Sequence, residues 1–273
     1  MTTEHKYLPG YKQISHHEWR TAENSVAYLL PTLSSHYAAN PSLCLLDVGT
    51  GPGTIAADFA QRIPNGHVTA TDLSEEVLTK ARNYCGVRLP NITFQQANVF
   101  SLPFEDESFD FVHTHQMLCH LHEPVKALKE MLRVTKKGGV LAVKEADLRM
   151  WFFYPELPAL GKFHDMLCKT HEGNGASTTA GRQLVSWAVK AGAKRSQIKP
   201  SFGTACYCDE ADRLMWGKSM GERAVNGEMK KKALAAGIIK EGEAEEMGAA
   251  WDEWMNNEEA TFGLVNGEIL VFK

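Results

Sequence analysis

The stretch LLDVGTGPGT, residues 45–54, places a glycine-rich turn directly after a run of apolar residues. The run LCLLDVG (43–49) predicts a buried strand, and TIAADFAQRI (54–63) predicts a helix that follows the turn. In an open α/β sheet, a ligand binds beside such turns at the carboxyl ends of the strands. The stretch therefore predicts a strand–turn–helix unit with a ligand site at the turn.

The same alternation of apolar runs and amphipathic segments continues to residue 147. Four further strands are predicted at 67–73, 92–98, 109–115 and 140–147. The helices between them include 74–85, for which Ser74 is the expected N-cap, and 124–136. Five strands linked by helices predict a Rossmann-like, doubly wound α/β fold.

The flanking parts of the chain are predicted to be mainly helical. An N-terminal helix at 21–38 is interrupted near Pro31, and residues 159–192 and the segment before 257 are also predicted as helices. Residues 197–208 predict a strand. The end of the chain, TFGLVNGEILVFK, is a candidate strand pair in which the central Asn-Gly forms a turn or a bulge.

No repeat or low-complexity linker divides the chain, so a single domain over 1–273 is predicted. Within it we expect a helical lid at 1–38, a cofactor-binding core at 39–147, and substrate-capping helices with the last two strands at 148–273. These helices form insertions after the fifth and sixth strands.

Composition limits the classes of function. The net charge is −4 and no Lys/Arg-rich run occurs, which argues against a nucleic-acid partner. No run of 18 apolar residues is present, so no membrane partner is predicted. The six cysteines form no CxxC pair and the N-terminus lacks the apolar core of a signal peptide, as expected for a cytoplasmic protein with reduced thiols. The oligomeric state stays open, with a monomer favoured.

Three residues around the glycine turn indicate the cofactor. Thr54 stands where a dinucleotide fingerprint has Gly or Ala. Asp47 precedes the first glycine and can meet an ammonium group, while Asp72 ends the second strand and can accept both ribose hydroxyls. A ribose beside an amino acid, without a pyrophosphate, is S-adenosylmethionine (SAM). The acidic strand end alone leaves NAD and an oxidoreductase as the alternative.

The segments LDVGTGPGT, TATDLS, NVFSLPFEDESFDFVHTHQMLCHL and EMLRVTKKGG, in this order, resemble class I SAM-dependent methyltransferases of the ubiquinone/menaquinone C-methyltransferase-like branch. The resemblance implies a seven-stranded sheet whose last two strands are antiparallel and lie at 197–208 and 262–272. It also implies methyl transfer.

The resemblance assigns cofactor contacts residue by residue. Gly49, Thr50 and Gly51 would approach the methionine part of SAM, and Asp72 would bind the ribose. Leu73 would pack on the adenine. Two further contacts come after the third strand: Asn98, where the family has Asp, would accept from the adenine amino group, and the Val99 amide would face the ring.

The stretch FVHTHQMLCHLHEP (111–124) holds four histidines and a cysteine. A metal site would need three or four of them to converge at about 2.0–2.3 Å. Strand and turn geometry sends them in different directions, so no metal is predicted. His115 is instead expected beside the cofactor.

Candidate residues for methyl transfer lie at the same edge of the predicted sheet. His115, Glu145 and Asp147 are candidates to assist the acceptor, although the two carboxylates are equally suited to capping or pairing in the next loop. Arg20 is a candidate partner of the SAM carboxylate. Tyr11 and Trp19 could belong to the same lid.

The acceptor is predicted to be a small, apolar, ring-containing molecule. Tyr11, Trp151, Phe153 and Trp216 are the candidate substrate contacts. The segments WRTAENSVAYLLP, VKEADLRMWFFYPE and AGRQLVSWAVKAGA are similar to fungal methyltransferases of secondary metabolism of the gliotoxin bis-thiomethyltransferase kind. That resemblance implies S-methylation of an epidithiodiketopiperazine dithiol such as reduced gliotoxin. The alternatives are a carbon or oxygen of a quinone, sterol or polyketide-like ring.

Overall fold

The computed structural model describes residues 19–85 and 89–273, which form a seven-stranded sheet with helices on both faces. The strands are β1 (Cys44–Val48), β2 (His67–Asp72), β3 (Ile92–Gln96), β4 (Phe109–His115), β5 (Thr135–Tyr154), β6 (Ile198–Tyr207) and β7 (Thr261–Phe272). Their order is β3-β2-β1-β4-β5-β7-β6. β7 runs antiparallel to both β5 and β6. The predicted Rossmann-like sheet is confirmed.

Ten α-helices occur in the described part of the chain. They are α1 (Ala22–Val26), α2 (Leu30–Ala39), α3 (Thr54–Arg62), α4 (Glu75–Cys85), α5 (Pro124–Val134), α6 (Pro158–Gly173), α7 (Ala180–Lys190), α8 (Glu210–Val225), α9 (Glu228–Ala235) and α10 (Glu243–Met255). The predicted insertions are confirmed, since α6 and α7 follow β5 and α8–α10 follow β6. None of the described helices is long and apolar enough to cross a membrane.

Three apolar clusters hold these layers together. On one face of the sheet, α1–α3 cover β1 and β4 through side chains such as Phe59 and Phe111. On the other face, α5 and α7 cover β4, β5 and β7. The third cluster joins α6, α8, α9 and α10 to the far ends of β5 and β7, around Trp251 and Phe262. This last cluster places a helical cap beyond the carboxyl edge of the parallel strands.

Local sequence signals explain several boundaries. The Ser74 hydroxyl accepts from the Val77 amide at 3.3 Å, so Ser74 caps α4 as predicted. The N-terminal helix is interrupted by a 3₁₀ turn at 27–29, and Pro31 lies in the first turn of α2. The division of the chain into lid, core and capping part stays a prediction.

β5 is longer than predicted. It continues through the aromatic segment to Tyr154 instead of ending at Asp147, and its register against β7 shifts between Asp147 and Trp151. The shift restores the alternation of buried and exposed side chains, so that Trp151 and Phe153 face the third cluster while Phe152 is 57% exposed.

The strand pair predicted for the end of the chain is wrong, because β7 is one continuous strand. The single last strand that the resemblance implied at 262–272 is confirmed. Asn266 and Gly267 sit inside it, paired with Ala146 and Glu145 of β5. The glycine is needed for packing, since a Cβ at Gly267 would lie 1.9 Å from the carbonyl oxygen of Gly181 in α7. The Asn-Gly pair thus permits close helix–strand approach and makes no turn.

We expect Gly267→Ala to lower the free energy of unfolding by about 3 kcal/mol, because backbone atoms of α7 must move to admit the methyl group. Urea unfolding checks this. Gly161→Ala is the matched control: nothing lies within 4 Å of its Cβ position in α6, so it should be neutral or stabilise by up to about 1 kcal/mol. Equal effects of both variants would contradict the packing argument.

Candidate active site

A cavity of about 380 Å³ opens at the carboxyl ends of β1, β2 and β4. Its wall contains nine of the ten residues predicted to bind the cofactor: Arg20, Asp47, Gly49, Thr50, Gly51, Asp72, Leu73, Val99 and His115. We call it the cofactor cavity.

The glycine loop after β1 forms one wall of the cofactor cavity. Gly49 and Gly51 have φ of +73° and +57°, which favours glycine. The Gly49 and Thr50 amides donate to the Thr71 carbonyl oxygen at 2.8 and 2.9 Å, which fixes the loop on β2. A Cβ at Gly49 would lie 2.7 Å from Cγ of Met117, whereas nothing lies within 4 Å of that position at Gly51.

Asp72 holds the opposite side of the loop. Its Oδ2 accepts from the Gly51 amide at 3.2 Å and its Oδ1 from the Ser74 amide at 3.0 Å. Burial raises the pKa of the Asp72 carboxyl group, partly offset by these amide hydrogen bonds. The carboxylate therefore lies at the end of β2, with Leu73 beside it on the cavity wall.

Asn98 is the predicted cofactor residue that the structure does not bring into the wall. Its Oδ1 accepts from the Phe100 amide at 2.9 Å and shapes the turn after β3. Its neighbours Ala97 and Val99 line the cavity instead. An Asn at this position serves the local turn because short polar side chains readily bond the backbone two residues on.

Three of the four histidines of FVHTHQMLCHLHEP (His113, His115 and His120) line the cofactor cavity, and His122 lies elsewhere. His113 is fully buried and its Nδ1 lies 2.7 Å from Oδ1 of Asp47. His115 and His120 line cavity walls, and His122 packs on Gly175. The described residues contain no group of three His, Cys, Asp or Glu side chains that could hold a metal ion. The stretch therefore contributes three imidazoles to the wall of the cofactor cavity.

Glu145 does not face the cavity, which corrects its assignment as a catalytic residue. Its carboxylate is buried under the segment after β4 and accepts from the backbone amides of Met117 (2.9 Å), Leu118 (2.6 Å) and Cys119 (3.3 Å). Burial raises the pKa of Glu145 to about 7, although these amides work in the opposite direction. Glu145 therefore anchors the segment.

Asp147 is also directed away from the cavity. Its carboxylate is 1% exposed and receives both Nε (2.5 Å) and Nη2 (2.7 Å) of Arg182 in α7. Strand alternation explains both corrections, because Lys144, Ala146 and Leu148 face the cap while the residues between them face α7. The predicted acid–base role of Asp147 is thus replaced by a bidentate ion pair.

A second cavity of about 220 Å³ lies between the cofactor cavity and the helical cap. We call it the acceptor cavity. The two cavities share four wall residues: Arg20, His115, Gln116 and His120. Arg20 donates to Oε1 of Gln116 at 2.5 Å, and Gln116 has a φ of +50°. This pair therefore stands where the two cavities adjoin.

Two of the predicted substrate contacts line the acceptor cavity. Trp151 and Trp216 are in its wall, with ring centroids 6.0 Å apart. Phe153 is not: it stacks on Phe262 at 5.1 Å inside the apolar cluster of the cap. Tyr11 lies outside the described residues. Trp19, predicted as part of the lid, meets Tyr207 edge-on at 5.9 Å.

Sequence reasoning missed several wall residues, above all His171 of α6 and Arg223 of α8. One signal was available. Trp216, Met220 and Arg223 recur at helical spacing and share the face of α8 that meets the cavity. His171 gave no such signal, because its position depends on how α6 packs across the end of β5.

The cofactor cavity fits SAM. The Thr50 hydroxyl is buried and has no hydrogen-bond partner in the described ranges, open space lies over Gly51, and the Asp72 carboxylate stands where a ribose would meet it. Bound SAM would supply a methyl group on its sulfonium. The residues that would hold SAM are those of the glycine loop and Asp72, while His115 and Gln116 belong to the walls of both cavities.

Comparison with known proteins agrees with this geometry. Residues 46–143 match the model of the methyltransferase domain family Methyltransf_11. The chain is 32% identical to the uncharacterized methyltransferase C1B3.06c of Schizosaccharomyces pombe, over 94% of this chain and 92% of the relative. It is 37% identical to the ubiquinone/menaquinone biosynthesis C-methyltransferase UbiE of Bdellovibrio bacteriovorus, over 48% and 51% respectively.

Among solved structures, the YcgJ protein of Bacillus subtilis superposes with a TM-score of 0.57 at 19% identity, covering 90% of this chain and 98% of that one. At this identity the likeness shows the fold. Together with the matched family and the full-length fungal relative, the chain belongs to the class I SAM-dependent methyltransferases. The nicotinamide alternative is thereby set aside, and the cofactor is SAM.

We expect Asp72→Ala to weaken binding of S-adenosylhomocysteine (SAH) by about 10- to 100-fold, the loss of one or two hydrogen bonds to a charged group. Calorimetric titration measures it. Asp106→Ala is the matched control, because that carboxylate pairs with Arg133 on the surface. Unchanged SAH affinity in a folded Asp72→Ala protein would contradict the ribose assignment.

Glu145→Gln, which is isosteric with the protonated carboxyl group, should become more stable than the wild type as pH rises. The folded pKa of Glu145 is about 7 and its ordinary value is 4.5, so its contribution to stability is present below pH 4.5 and is lost as pH rises through 7. Between pH 5 and 9 the difference in unfolding free energy should shift towards the variant by roughly 2–3 kcal/mol. Urea unfolding at several pH values, with surface Glu253→Gln as control, tests this.

Proposed function

We propose that this methyltransferase transfers the methyl group of SAM to a thiol of a small, ring-containing acceptor. The observation that carries the proposal is the acceptor cavity: among the described residues, its wall contains aromatic and aliphatic side chains, imidazoles and cations, but no carboxylate. A thiol, with an ordinary pKa near 8.5, ionises with little help, whereas an alcohol requires a strong general base.

The size and walls of the cavity support a small acceptor. At about 220 Å³ it suits a compact bicyclic molecule, and Trp151, Trp216 and Leu264 offer apolar faces to a ring. An epidithiodiketopiperazine in its dithiol form, such as reduced gliotoxin, has this size and chemistry. The proposal extends to that class of acceptor, to a monomeric protein and to a cytoplasmic setting.

The buried thiol of Cys119 does not act as a covalent relay in this proposal. Burial and the neighbouring Glu145 raise the pKa of Cys119 well above its ordinary value, so the thiolate is not populated at neutral pH. Methyl transfer is therefore direct, from the sulfonium to the acceptor atom.

Methylation of a ring oxygen or carbon is the second candidate. Two neutral imidazoles, His120 and His171, lie in the acceptor cavity with ring centroids 6.4 Å apart and could take a proton from a phenol. A comparison of thiol and phenol acceptors of the same ring size decides between the two.

The test is a methyl-transfer screen, made after SAH binding is established. Dithiothreitol, benzyl mercaptan and a matched phenol are offered as acceptors, and the SAH produced with each is quantified. We expect the thiols to be methylated faster than the phenol.

Trp216→Ala should raise KM for the thiol about tenfold and leave SAH affinity unchanged, because it removes a cavity wall. Phe202→Ala, 64% exposed and outside both cavities, is the control. A phenol that outcompetes the thiols would overturn the choice of acceptor.

A further inference from the structure

A buried ion pair lies where the sheet meets the acceptor cavity. Lys144 of β5 stands opposite Glu268 of β7, and Nζ of Lys144 lies 3.0 Å from Oε1 of Glu268. The Ser201 hydroxyl of β6 donates to the other carboxylate oxygen at 2.9 Å. A Cβ at Gly203 would lie 2.3 Å from Oε1, so this glycine makes room for the carboxylate. Both neighbouring strands therefore hold Glu268 in place.

Lys144 keeps hydrogen-bond donors for a ligand. An ammonium group has three N–H donors, and Glu268 is the one side chain that pairs with Lys144 in the described ranges. The Lys144 side chain lines the acceptor cavity and is 12% exposed, so its remaining donors can face a ligand there. Because Glu268 balances its charge, Lys144 offers these donors without a net positive charge.

A chain of side-chain amides determines the orientation of Asn266. The Arg20 guanidinium can only donate, so Oε1 of Gln116 faces it, 2.5 Å from Nη2. The Gln116 amino group then points the other way and donates to Oδ1 of Asn266 at 3.3 Å. The amino group of Asn266 is therefore left as a donor, and Asn266 lines the acceptor cavity.

Lys144 and Asn266 present their donors from neighbouring strands on one face of the sheet. Asn266 of β7 pairs with Ala146, two residues beyond Lys144 in β5, so the two side chains are diagonal neighbours. Such neighbours lie roughly 7–8 Å apart, within the reach of long side chains. Both side chains are largely buried. They form a pair of donors beside Gln116, which also lines the cofactor cavity.

We propose that Lys144 and Asn266 bind a carbonyl oxygen of the methyl acceptor. The proposal rests on the proposed function in placing the acceptor in this cavity. A carbonyl oxygen has two lone pairs and no proton, which matches two donors from adjacent strands. The charge balance at Lys144 favours such a neutral oxygen over a free carboxylate, because Glu268 repels an anion. The acceptor class is therefore a ring with a carbonyl group, in an amide, a ketone or a quinone.

The position of the donor pair relates this carbonyl group to the reacting atom. Asn266 contacts Gln116, and Gln116 belongs to the walls of both cavities. A carbonyl group held by Asn266 thus lies one side chain away from the place where the cavities adjoin. We therefore expect the reacting atom on a carbon next to the carbonyl carbon. A thiol in that position occurs in the dithiol form of an epidithiodiketopiperazine.

The test is calorimetric titration of the SAH-saturated protein with cyclo(Gly-Phe), a cyclic amide. No methyl donor is present, so the result does not depend on methyl transfer. We expect saturable binding to the wild type. Asn266→Asp should weaken it about tenfold, because the isosteric carboxylate still accepts from Gln116 but turns an acceptor oxygen towards the carbonyl group. Asn65→Asp, in the exposed turn before β2, is the matched control and should bind as the wild type does.

The double variant Lys144→Met/Glu268→Gln tests the second donor and leaves neither charge buried without its partner. We expect about the same tenfold loss of affinity for cyclo(Gly-Phe). The surface pair of Lys231 and Glu228, 2.8 Å apart, provides the matched control Lys231→Met/Glu228→Gln, which should retain the wild-type affinity. SAH affinity verifies that each variant is folded.

An infrared measurement distinguishes direct contact from an indirect effect on packing. The stretch of the ¹³C-labelled carbonyl groups of bound cyclo(Gly-Phe) should lie at lower wavenumber than in water, because a hydrogen bond from an ammonium group is stronger than one from a water molecule. In Asn266→Asp it should move back to higher wavenumber. The wild-type shift by itself decides the matter if neither variant folds.

Acetophenone, a ketone, is the second probe and distinguishes the sources of the carbonyl group. Tighter binding of cyclo(Gly-Phe) assigns an amide acceptor, and tighter binding of acetophenone assigns a ketone or quinone and overturns the choice of a diketopiperazine. The absence of saturable binding of both probes at millimolar concentration, a carbonyl stretch at or above its value in water, or full affinity in folded Asn266→Asp would each overturn the carbonyl site.

These outcomes are separate from that of the thiol screen. If a probe binds through Asn266 and no thiol is methylated, the thiol assignment fails and the carbonyl site stands. If benzyl mercaptan, which has no carbonyl group, is methylated and neither probe binds, the carbonyl site fails and the proposed function stands.

Discussion

The carboxylate of Glu145 accepts hydrogen bonds from three successive backbone amides, those of Met117, Leu118 and Cys119. These amides begin the segment after β4, where no strand or long helix satisfies them. One buried side chain from β5 therefore fixes the segment. Both cavities depend on it, because the segment carries Met117 against the glycine loop and His120 into the acceptor wall.

The cofactor half of the site could be predicted from sequence because its parts are local. A glycine turn after a strand and an Asp at the end of the next strand have fixed positions in any parallel sheet. The loop conformation follows from the same residues, since Gly49 and Gly51 occupy the positive-φ region. The exception, Asn98, fails for a local reason as well: its side chain bonds the backbone of its own turn.

The acceptor half could not be predicted in the same way, because its walls come from elements far apart in the chain. Successive side chains of β5 point to opposite faces of the sheet, so that Lys144 and Ala146 face the cap while Glu145 and Asp147 face α7. The sequence of the strand alone does not reveal which set faces which side. The register shift between Asp147 and Trp151 changes which residues face the cap, from even-numbered to odd-numbered ones. Trp151 therefore faces the cavity, although simple alternation from residue 147 would direct it to the other face.

The two halves also differ in charge. The cofactor cavity presents carboxylates, Asp47 and Asp72, to a ligand that carries an ammonium group and a ribose. The acceptor cavity presents arginines and imidazoles. Carboxylates in the cofactor cavity attract the ammonium and sulfonium charges of SAM, whereas no carboxylate of the described residues stands in the acceptor wall. The difference in charge between the two cavities therefore favours SAM in the cofactor cavity over the acceptor cavity.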